Sequence, residues 1–226
     1  MKKLISKYIN KLLEQYAPRG SWYLWNEVQK RYTEETVQFI HTEMKTALFC
    51  MNPFDVLSHA IENRKPGVIA EFGVFSGKTI NHMSSMVIDQ TLYGFDSFEG
   101  LPEQWTGFIY ARKMFDVQGN MPKVNPNVKL IKGWFDATVP PFFKDLKEPV
   151  SILHLDADIY SSTKTVLDAA IPHIQNGTIL AFDEFFNYPG YQLHEYKAFY
   201  EFIAETGWKY EFLAYSGNQL SVRLFK

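Results

Sequence analysis

The chain has 226 residues, enough for one sizeable α/β domain and too few for two comfortable ones. It carries 23 basic and 25 acidic residues, and this net charge of −2 gives no electrostatic reason to expect a nucleic-acid partner. The single cysteine, Cys50, excludes an internal disulfide and a cysteine-based zinc site. We therefore expect a reducing compartment, the cytoplasm.

Residues 1–65 are predicted to form a helical extension that supplies a lid or dimer contacts. Apolar side chains recur at helical spacing over residues 4–16, which predicts an amphipathic helix ended by Pro18 and Gly20. Such a helix can lie on a membrane or pack on protein, and we favour packing, on its own domain or in a homodimer. Two more helices are predicted over residues 33–50 and 52–62. Because no run approaches the roughly 18 apolar residues of a membrane span, we expect no integral membrane segment.

From residue 66 onwards, β-branched and aromatic runs alternate with helical patterns, which is typical of βαβ units and a parallel sheet. Strands are predicted over residues 68–72, 91–95, 128–131, 150–155 and 178–182. Helices are predicted over residues 78–88, 162–171 and 193–206. Two final strands, 209–215 and 220–225, flank a predicted three-residue hairpin connection, Ser216-Gly217-Asn218. Residues 99–127 are predicted to form a long loop with one short helix, and loops of that length are usually functional.

A glycine-containing turn joins the strand predicted over residues 68–72 to its helix, with the sequence Glu71-Phe-Gly-Val-Phe-Ser-Gly-Lys-Thr79. A P-loop needs four residues between its first glycine and Gly-Lys-Thr, whereas only three separate Gly73 from Gly77. A dinucleotide-binding turn needs glycine where Phe75 stands, because the backbone must approach a pyrophosphate there. S-adenosylmethionine has no pyrophosphate and suits an acidic residue followed by Gly-x-x-x-Gly. The alternative is that these glycines only form a tight turn.

Two acidic residues fit that ligand. Glu71 stands at the end of its strand, where a carboxylate can hold the ammonium group of the methionine moiety. Asp96 ends the next predicted strand, where a carboxylate can accept hydrogen bonds from both ribose hydroxyls. Together with the failed phosphate motifs, these positions make S-adenosylmethionine the leading ligand.

Two later predicted strands also end in acidic residues, Asp156 and Asp158 after one and Asp183 and Glu184 after the next. The carboxyl ends of parallel strands share one edge of the sheet, so Asp156 and Asp183 are expected on neighbouring strand tips. Converging carboxylates repel one another, and a divalent cation relieves the repulsion. Oxygen ligands without cysteine favour magnesium, manganese or calcium over zinc.

Each of these residues also has a simpler interpretation. Asp158 can cap the helix that follows it, and Glu184 can be merely solvated. His154 lies within a strand just short of its tip, where a packed core histidine is as reasonable as a site role. His194 lies just past an acidic tip and is a candidate for substrate contact.

Four motifs together resemble those of the macrocin O-methyltransferase (TylF/MycF) family: Glu71-Phe-Gly-Val-Phe-Ser-Gly, Gly94-Phe-Asp-Ser-Phe-Glu-Gly-Leu-Pro102, His154-Leu-Asp-Ala-Asp-Ile-Tyr-Ser-Ser-Thr163, and Phe182-Asp-Glu with the later Pro189-Gly-Tyr-Gln. The resemblance spans roughly residues 66–202. It implies a Rossmann-like class I methyltransferase fold over residues 66–226, with a seven-stranded, mostly parallel sheet whose last strand is antiparallel. It also implies S-adenosylmethionine as methyl donor, a magnesium ion, and a sugar hydroxyl as acceptor, in a glycosylated natural product or a polysaccharide.

The resemblance also assigns roles by motif position. It places the general base at Asp158 and the metal ligands at Asp156, Asp183 and Glu184. Many relatives have Asp or Asn where Glu184 stands, and its longer side chain leaves its coordination open. The implied cofactor-site residues are Glu71, Gly73, Asp96 and Ser97, with weaker correspondences at Thr79, Gly133 and Trp134. Two rival functions are a catechol-type O-methyltransferase with a small phenolic acceptor and a non-catalytic S-adenosylmethionine-binding protein.

Overall fold

The computed structural model describes residues 8, 11, 20–106 and 111–226, and the chain divides into two compact units. The first combines Met1–Lys45 with Asn187–Pro189, and the second combines Thr46–Phe186 with Gly190–Lys226. Apart from Tyr8 and Lys11, which are both helical, the amphipathic helix predicted over residues 4–16 lies outside the described residues. None of the described helices is both long and apolar enough to cross a membrane.

The first unit is built on helix α1, Ser21–Glu43. Its Gln29 side chain donates a hydrogen bond to the carbonyl of Asn187 (2.7 Å), and Thr33 Oγ1 donates one to the Asn187 side chain (3.0 Å). The bounds predicted for this helix, residues 33–50, are wrong at both ends, since the helix begins at Ser21 and ends at Glu43. Strand β1, Leu48–Phe49, occupies its last part because the sheet offers these residues a backbone partner in the final hairpin, and that pairing overrides local helical spacing.

The second unit alternates strands and helices, as predicted. In chain order after β1, its elements are α2 (Pro53–Glu62), β2 (Val68–Phe72), α3 (Lys78–Met86), β3 (Leu92–Asp96), α4 (Ala111–Met114), β4 (Val128–Lys132), α5 (Phe135–Asp145), β5 (Val150–Leu155), α6 (Tyr160–Ala170), β6 (Ile179–Phe182), α7 (Glu195–Thr206), β7 (Lys209–Ser216) and β8 (Gln219–Phe225). Single 3₁₀ turns lie at Ile171–His173 and Tyr191–Leu193.

All the described strands join one sheet in the order β1-β7-β8-β6-β5-β2-β3-β4. Only β8 runs against its neighbours, so the predicted antiparallel last strand is confirmed. The sheet has eight strands rather than seven because the two-residue β1 extends its edge alongside β7. The proposed division at residues 65/66 stays a prediction; β1 and α2, which precede it, belong to the unit that holds the sheet.

The helices cover both faces of the sheet. Buried residues of α2 and α3, including Leu57 and Ile80, pack with Ile69 of β2 on one face. On the other face of β2, Phe72 stacks on Phe95 with ring centroids 4.9 Å apart and also contacts rings of α5. The loops after β2 and β5 lead to helices on opposite faces, and these two strands lie side by side. A ligand crevice is expected at such a switch point, at the carboxyl edge of the sheet.

Helix α5 and the final turn differ from the sequence prediction. No helix was predicted over Phe135–Asp145. The segment contains Pro140 and Pro141, and proline lacks the amide hydrogen that an interior helical position uses. The final hairpin has a two-residue loop rather than three: Ser216 pairs with Gln219, and Gly217 takes the left-handed conformation (φ +59°) that such tight turns need.

Candidate active site

A cavity of about 660 Å³ opens at the carboxyl edge of the sheet. Residues that follow five strands line it, represented by Gly73 after β2, Asp96 at the end of β3, Trp134 after β4, Asp156 after β5 and Asp183 after β6. Its volume is in the range of small-molecule and cofactor sites. The fold therefore gathers the acidic strand ends around one cavity, as the sequence predicted.

Gly73 lines the cavity and packs tightly against the backbone of Asp156. Its φ is +99°, and a Cβ atom there would lie 1.7 Å from the carbonyl oxygen of Asp156. The Asp156 amide donates to the carbonyl of Phe72 (2.9 Å), which extends the β2–β5 pairing into the site. Only glycine fits this position, because any side chain would push the β2 turn away from the β5 tip.

The Asp96 side chain links the turn after β2 to the end of β3 by hydrogen bonds. Its Oδ2 accepts hydrogen bonds from the amides of Val74 (2.8 Å) and Phe75 (2.7 Å), and its Oδ1 accepts one from Phe98 (2.6 Å). Phe75 and Phe98 both have positive φ, a costly conformation for bulky residues that these bonds help to hold. A carboxylate has about four acceptor positions, so Asp96 keeps capacity for a ligand in the cavity.

Three carboxylates converge on the cavity floor. Asp156, Asp158 and Glu184 each offer an oxygen, and these oxygens lie within 4.8 Å of one another. Burial, followed by the negative charges of Asp183 and Asp96, raises the pKa of Asp158 to about 8. Burial and the neighbouring carboxylates also raise the pKa of Asp156 and of Glu184 well above their usual ranges. Protons or a cation are therefore needed to hold this cluster together.

The donor set fits a hard divalent cation. All three residues offer carboxylate oxygens, which magnesium and calcium prefer. Glu184 Oε2 is buried and has no hydrogen-bond partner among the described residues, so it has an unused acceptor oxygen for such an ion.

A buried polar chain runs beneath this cluster. Glu71 is fully buried in β2, accepting hydrogen bonds from Thr79 Oγ1 (3.0 Å) and pairing with His154 Nδ1 (2.9 Å). His154 Nε2 lies 3.9 Å from Asp183 Oδ1. Burial alone lowers the pKa of His154, but the hydrogen bond and charge of Glu71, with the charge of Asp183, outweigh it and raise that pKa. Burial raises the pKa of Glu71 as well, so the Glu71–His154 pair favours holding a proton below the Asp183 tip.

Glu195, the first residue of α7, is also fully buried beside the floor. Its Oε1 accepts a hydrogen bond from the amide of Ala157 (3.3 Å), and its Oε2 accepts one from the amide of Glu184 (3.1 Å). Burial and the nearby Asp183 raise its pKa well above the usual range. Sequence reasoning missed Glu195, because chain order brings the start of α7 to the carboxyl edge after β6 but does not show which of its side chains turns inward between the two strand tips.

Comparison with known proteins identifies the fold family. The family described as "Methyltransferase domain" matches residues 70–185, just over half of the chain. The chain belongs to the methyltransferase domain family. Its match to demethyldecarbamoylnovobiocin O-methyltransferase from Streptomyces niveus is 27% identical over 169 residues. That match covers 64% of this chain and 63% of the relative, so the chain spans less than two thirds of the curated protein's length.

Solved structures agree on the architecture of this methyltransferase domain. The calicheamicin methyltransferase CalS11 superposes with a TM-score of 0.62 at 21% identity, covering 98% of this chain and 92% of that one. The O-methyltransferase NovP gives a TM-score of 0.55 at 21% identity, covering 76% and 78%. At these identities the likeness establishes the fold, and the predicted Rossmann-like methyltransferase class is confirmed.

The predicted site residues fall into two groups, those that line the cavity and those that do not. Eight of them line the cavity: Gly73, Asp96, Ser97, Trp134, Asp156, Asp158, Asp183 and Glu184. The other three, Glu71, Thr79 and Gly133, are not among its lining residues. Glu71 and Thr79 bond to each other below the site, and the Gly133 amide donates to the Asp96 carbonyl (2.9 Å). Their roles in binding remain predictions.

The two candidate histidines lie in the protein interior. His154 is buried in β5, and His194 is 4% exposed and packs edge-on against Trp105, with ring centroids 6.3 Å apart. Neither lines the cavity.

The remaining lining residues were not predicted individually. Most come from the loop after β3 and the starts of α5 and α6, including Leu101, Phe115, Phe135, Ser161 and Thr165, and the others are Phe75 in the β2 turn and Ala157 after β5. Leu101 and Phe115 belong to the long loop predicted to be functional, but only the structure, in which Phe115 packs edge-on against Phe75 with ring centroids 5.6 Å apart, shows which loop residues reach the cavity.

Proposed function

We propose that this chain is a metal-dependent O-methyltransferase that moves the methyl group of S-adenosylmethionine to a sugar hydroxyl. The observation that carries the proposal is the three-carboxylate cluster on the floor of the same cavity that Asp96, Ser97 and Trp134 line. A protein that only binds S-adenosylmethionine needs neither a cation site nor a base beside it. The names of the relatives support the acceptor class, since one CalS11 structure is described as a TDP-rhamnose 3′-O-methyltransferase.

In this proposal the nucleoside part of S-adenosylmethionine lies against the ends of β2, β3 and β4. Asp96 has about one acceptor position left for a ribose hydroxyl, and the Gly73 turn keeps the backbone close beside it. The rings of Phe75, Trp134 and Phe135 supply apolar walls that suit a sulfonium charge. We keep Glu71, Thr79 and Gly133 as supporting residues for this half of the site.

The transfer itself is an in-line displacement. The acceptor oxygen forms a bond to the methyl carbon while the carbon–sulfur bond breaks, its electron pair stays on sulfur, and S-adenosylhomocysteine leaves. Asp158 takes the hydroxyl proton, because its carboxylate lies on the cavity floor beside the proposed cation ligands.

We assign the cation to Asp156, Asp183 and Glu184. The close grouping of Asp156, Asp158 and Glu184 supports Asp158 as a further candidate ligand, and it supports Glu184 as a ligand despite its longer side chain. Magnesium, when bound, would lower the pKa of an acceptor hydroxyl and offset the charge of these carboxylates. In this proposal the four carboxylates orient the acceptor hydroxyl so that its proton passes directly to Asp158.

We also propose a reducing, cytoplasmic location and a homodimer. The buried, free Cys50 supports the first. The exposed apolar side chains of Leu48 and Phe49 on the edge strand β1 support the second.

The test is turnover by Asp158→Asn. We expect kcat to fall by about 10²–10⁴-fold while S-adenosylhomocysteine still binds, because the variant keeps the shape and loses the proton acceptor. Asp168→Asn, a matched change at a half-exposed position on α6, should leave kcat unchanged. Full turnover by Asp158→Asn, or activity unaffected by a chelator, would contradict the proposal. Turnover of catechols but not of glycosides would assign the rival acceptor class.

A further inference from the structure

We infer that Glu195 is a positioning residue that sets the spacing between the two acidic strand tips. The inference rests on the proposed cation site and goes beyond it, because Glu195 does not line the cavity. Its two carboxylate oxygens each accept one backbone amide, from Ala157 after β5 and from Glu184 after β6. One rigid group thereby connects the two loops that carry the cation ligands.

The contact with Ala157 acts on a strained turn. Ala157 lies between Asp156 and Asp158, and its carbonyl accepts the amide of Ile159 (2.6 Å). Asp158 sits in the left-handed region at φ +61°, which a residue other than glycine holds only when its surroundings require it. With both its amide and its carbonyl bonded, the Ala157 residue is fixed, and the direction of the two neighbouring carboxylates is fixed with it.

The contact with Glu184 acts on the other tip. The backbone amide of Glu184 donates to Glu195, while the Glu184 side chain reaches the carboxylate cluster. The hydrogen bond therefore restrains the backbone from which the Glu184 side chain extends. The start of α7 suits this task. A carboxylate at the first position of a helix is favoured by the helix dipole, which offsets part of the cost of burying Glu195.

The chemistry of this contact calls for a carboxylate. A glutamine side chain has one acceptor oxygen, and its amide group would face the second backbone amide donor-to-donor. Glu195→Gln therefore keeps the size of the side chain and breaks at least one of the two contacts. Glu205→Gln makes the same chemical change on the same helix, at an exposed carboxylate that pairs with Lys164.

The experiment measures Mg²⁺ and S-adenosylhomocysteine binding by calorimetry in wild type, Glu195→Gln and Glu205→Gln. We expect Glu195→Gln to weaken Mg²⁺ binding by about 10–100-fold, the usual effect of losing a group that orients metal ligands. S-adenosylhomocysteine affinity should stay within about twofold, and the control should match wild type in both. Unchanged Mg²⁺ affinity in Glu195→Gln overturns the inference.

A second measurement separates the possible failures. Amide hydrogen exchange of the metal-free wild type should show slow exchange at Ala157 and Glu184, and exchange as fast as in an unstructured peptide overturns the inference even where Glu195→Gln does not fold. If the wild type binds no Mg²⁺ while both amides are protected, the metal part of the proposed function fails and the Glu195 contact stands.

Discussion

Replacing Gly73 with alanine tests whether the β2 turn packs on the β5 tip. Two costs add in this variant. A left-handed conformation costs a residue with a side chain about 1–2 kcal/mol. The new Cβ would also lie 1.7 Å from the Asp156 carbonyl oxygen, so backbone must move, and such overpacking costs about 1–3 kcal/mol more. We expect the free energy of unfolding to fall by about 2–5 kcal/mol in total.

Gly207→Ala supplies the matched control. Gly207 ends α7 at φ +70°, and a Cβ there would meet nothing within 4 Å, so only the conformational cost of about 1–2 kcal/mol applies. Urea unfolding of both variants gives the difference, and S-adenosylhomocysteine binding should weaken in Gly73→Ala alone. Equal destabilisation with equal binding would show that the turn does not approach Asp156 as described.

Three further predictions concern the acids and their partners. Because the folded pKa of Asp158 is about 8 against an ordinary 3.8, the metal-free protein should lose thermal stability as the pH rises from 6 to 8, and Mg²⁺ at pH 8 should restore it; a melting temperature that rises with pH would contradict this. Glu184→Gln should weaken Mg²⁺ binding at least tenfold by calorimetry, and unchanged affinity would remove Glu184 from the site. Thr79→Val should lower the free energy of unfolding by about 1–3 kcal/mol in urea titrations, because it leaves the buried Glu71 with one donor fewer, and an unchanged midpoint would argue against that contact.

The sheet and its acidic edge could be predicted because their signals are local. Strand β2 is an unbroken run of buried residues bounded by Pro66-Gly67 and by the Gly73 turn, and its predicted bounds are confirmed. The same holds for β5. Since parallel strands end at one edge, the shared position of Asp96, Asp156 and Asp183 followed from strand assignment alone.

The elements that were predicted wrongly or not at all depend on contacts between segments that are distant in sequence. Leu48 and Phe49 continue a helical pattern in sequence, and only their pairing with the final hairpin makes them a strand. Helix α5 contains two prolines that argue against a helix locally, yet its phenylalanines pack on Phe72 and Phe95. Tertiary packing overrides propensity in both cases.

Within the site, the positions of residues at the strand ends were predictable, but the hydrogen-bond partners of their side chains were not. Glu71 stands at a strand end in sequence, but its alternation along β2 directs its carboxylate to Thr79 and His154 below the cavity. Glu195 shows the reverse, since a residue predicted only as part of a helix supplies the carboxylate that joins both acidic tips. Such pairings depend on the three-dimensional arrangement of loops, which spacing does not encode.

The central claim is tested most directly by mass analysis of products formed from methyl-labelled S-adenosylmethionine, Mg²⁺ and a panel of nucleotide sugars, polysaccharides and glycosylated metabolites. The account predicts one added labelled methyl group on a sugar hydroxyl of one acceptor, with the product lost on adding chelator and in Asp158→Asn. Transfer to a nitrogen or carbon atom of an acceptor, or undiminished transfer in the presence of chelator, would contradict it.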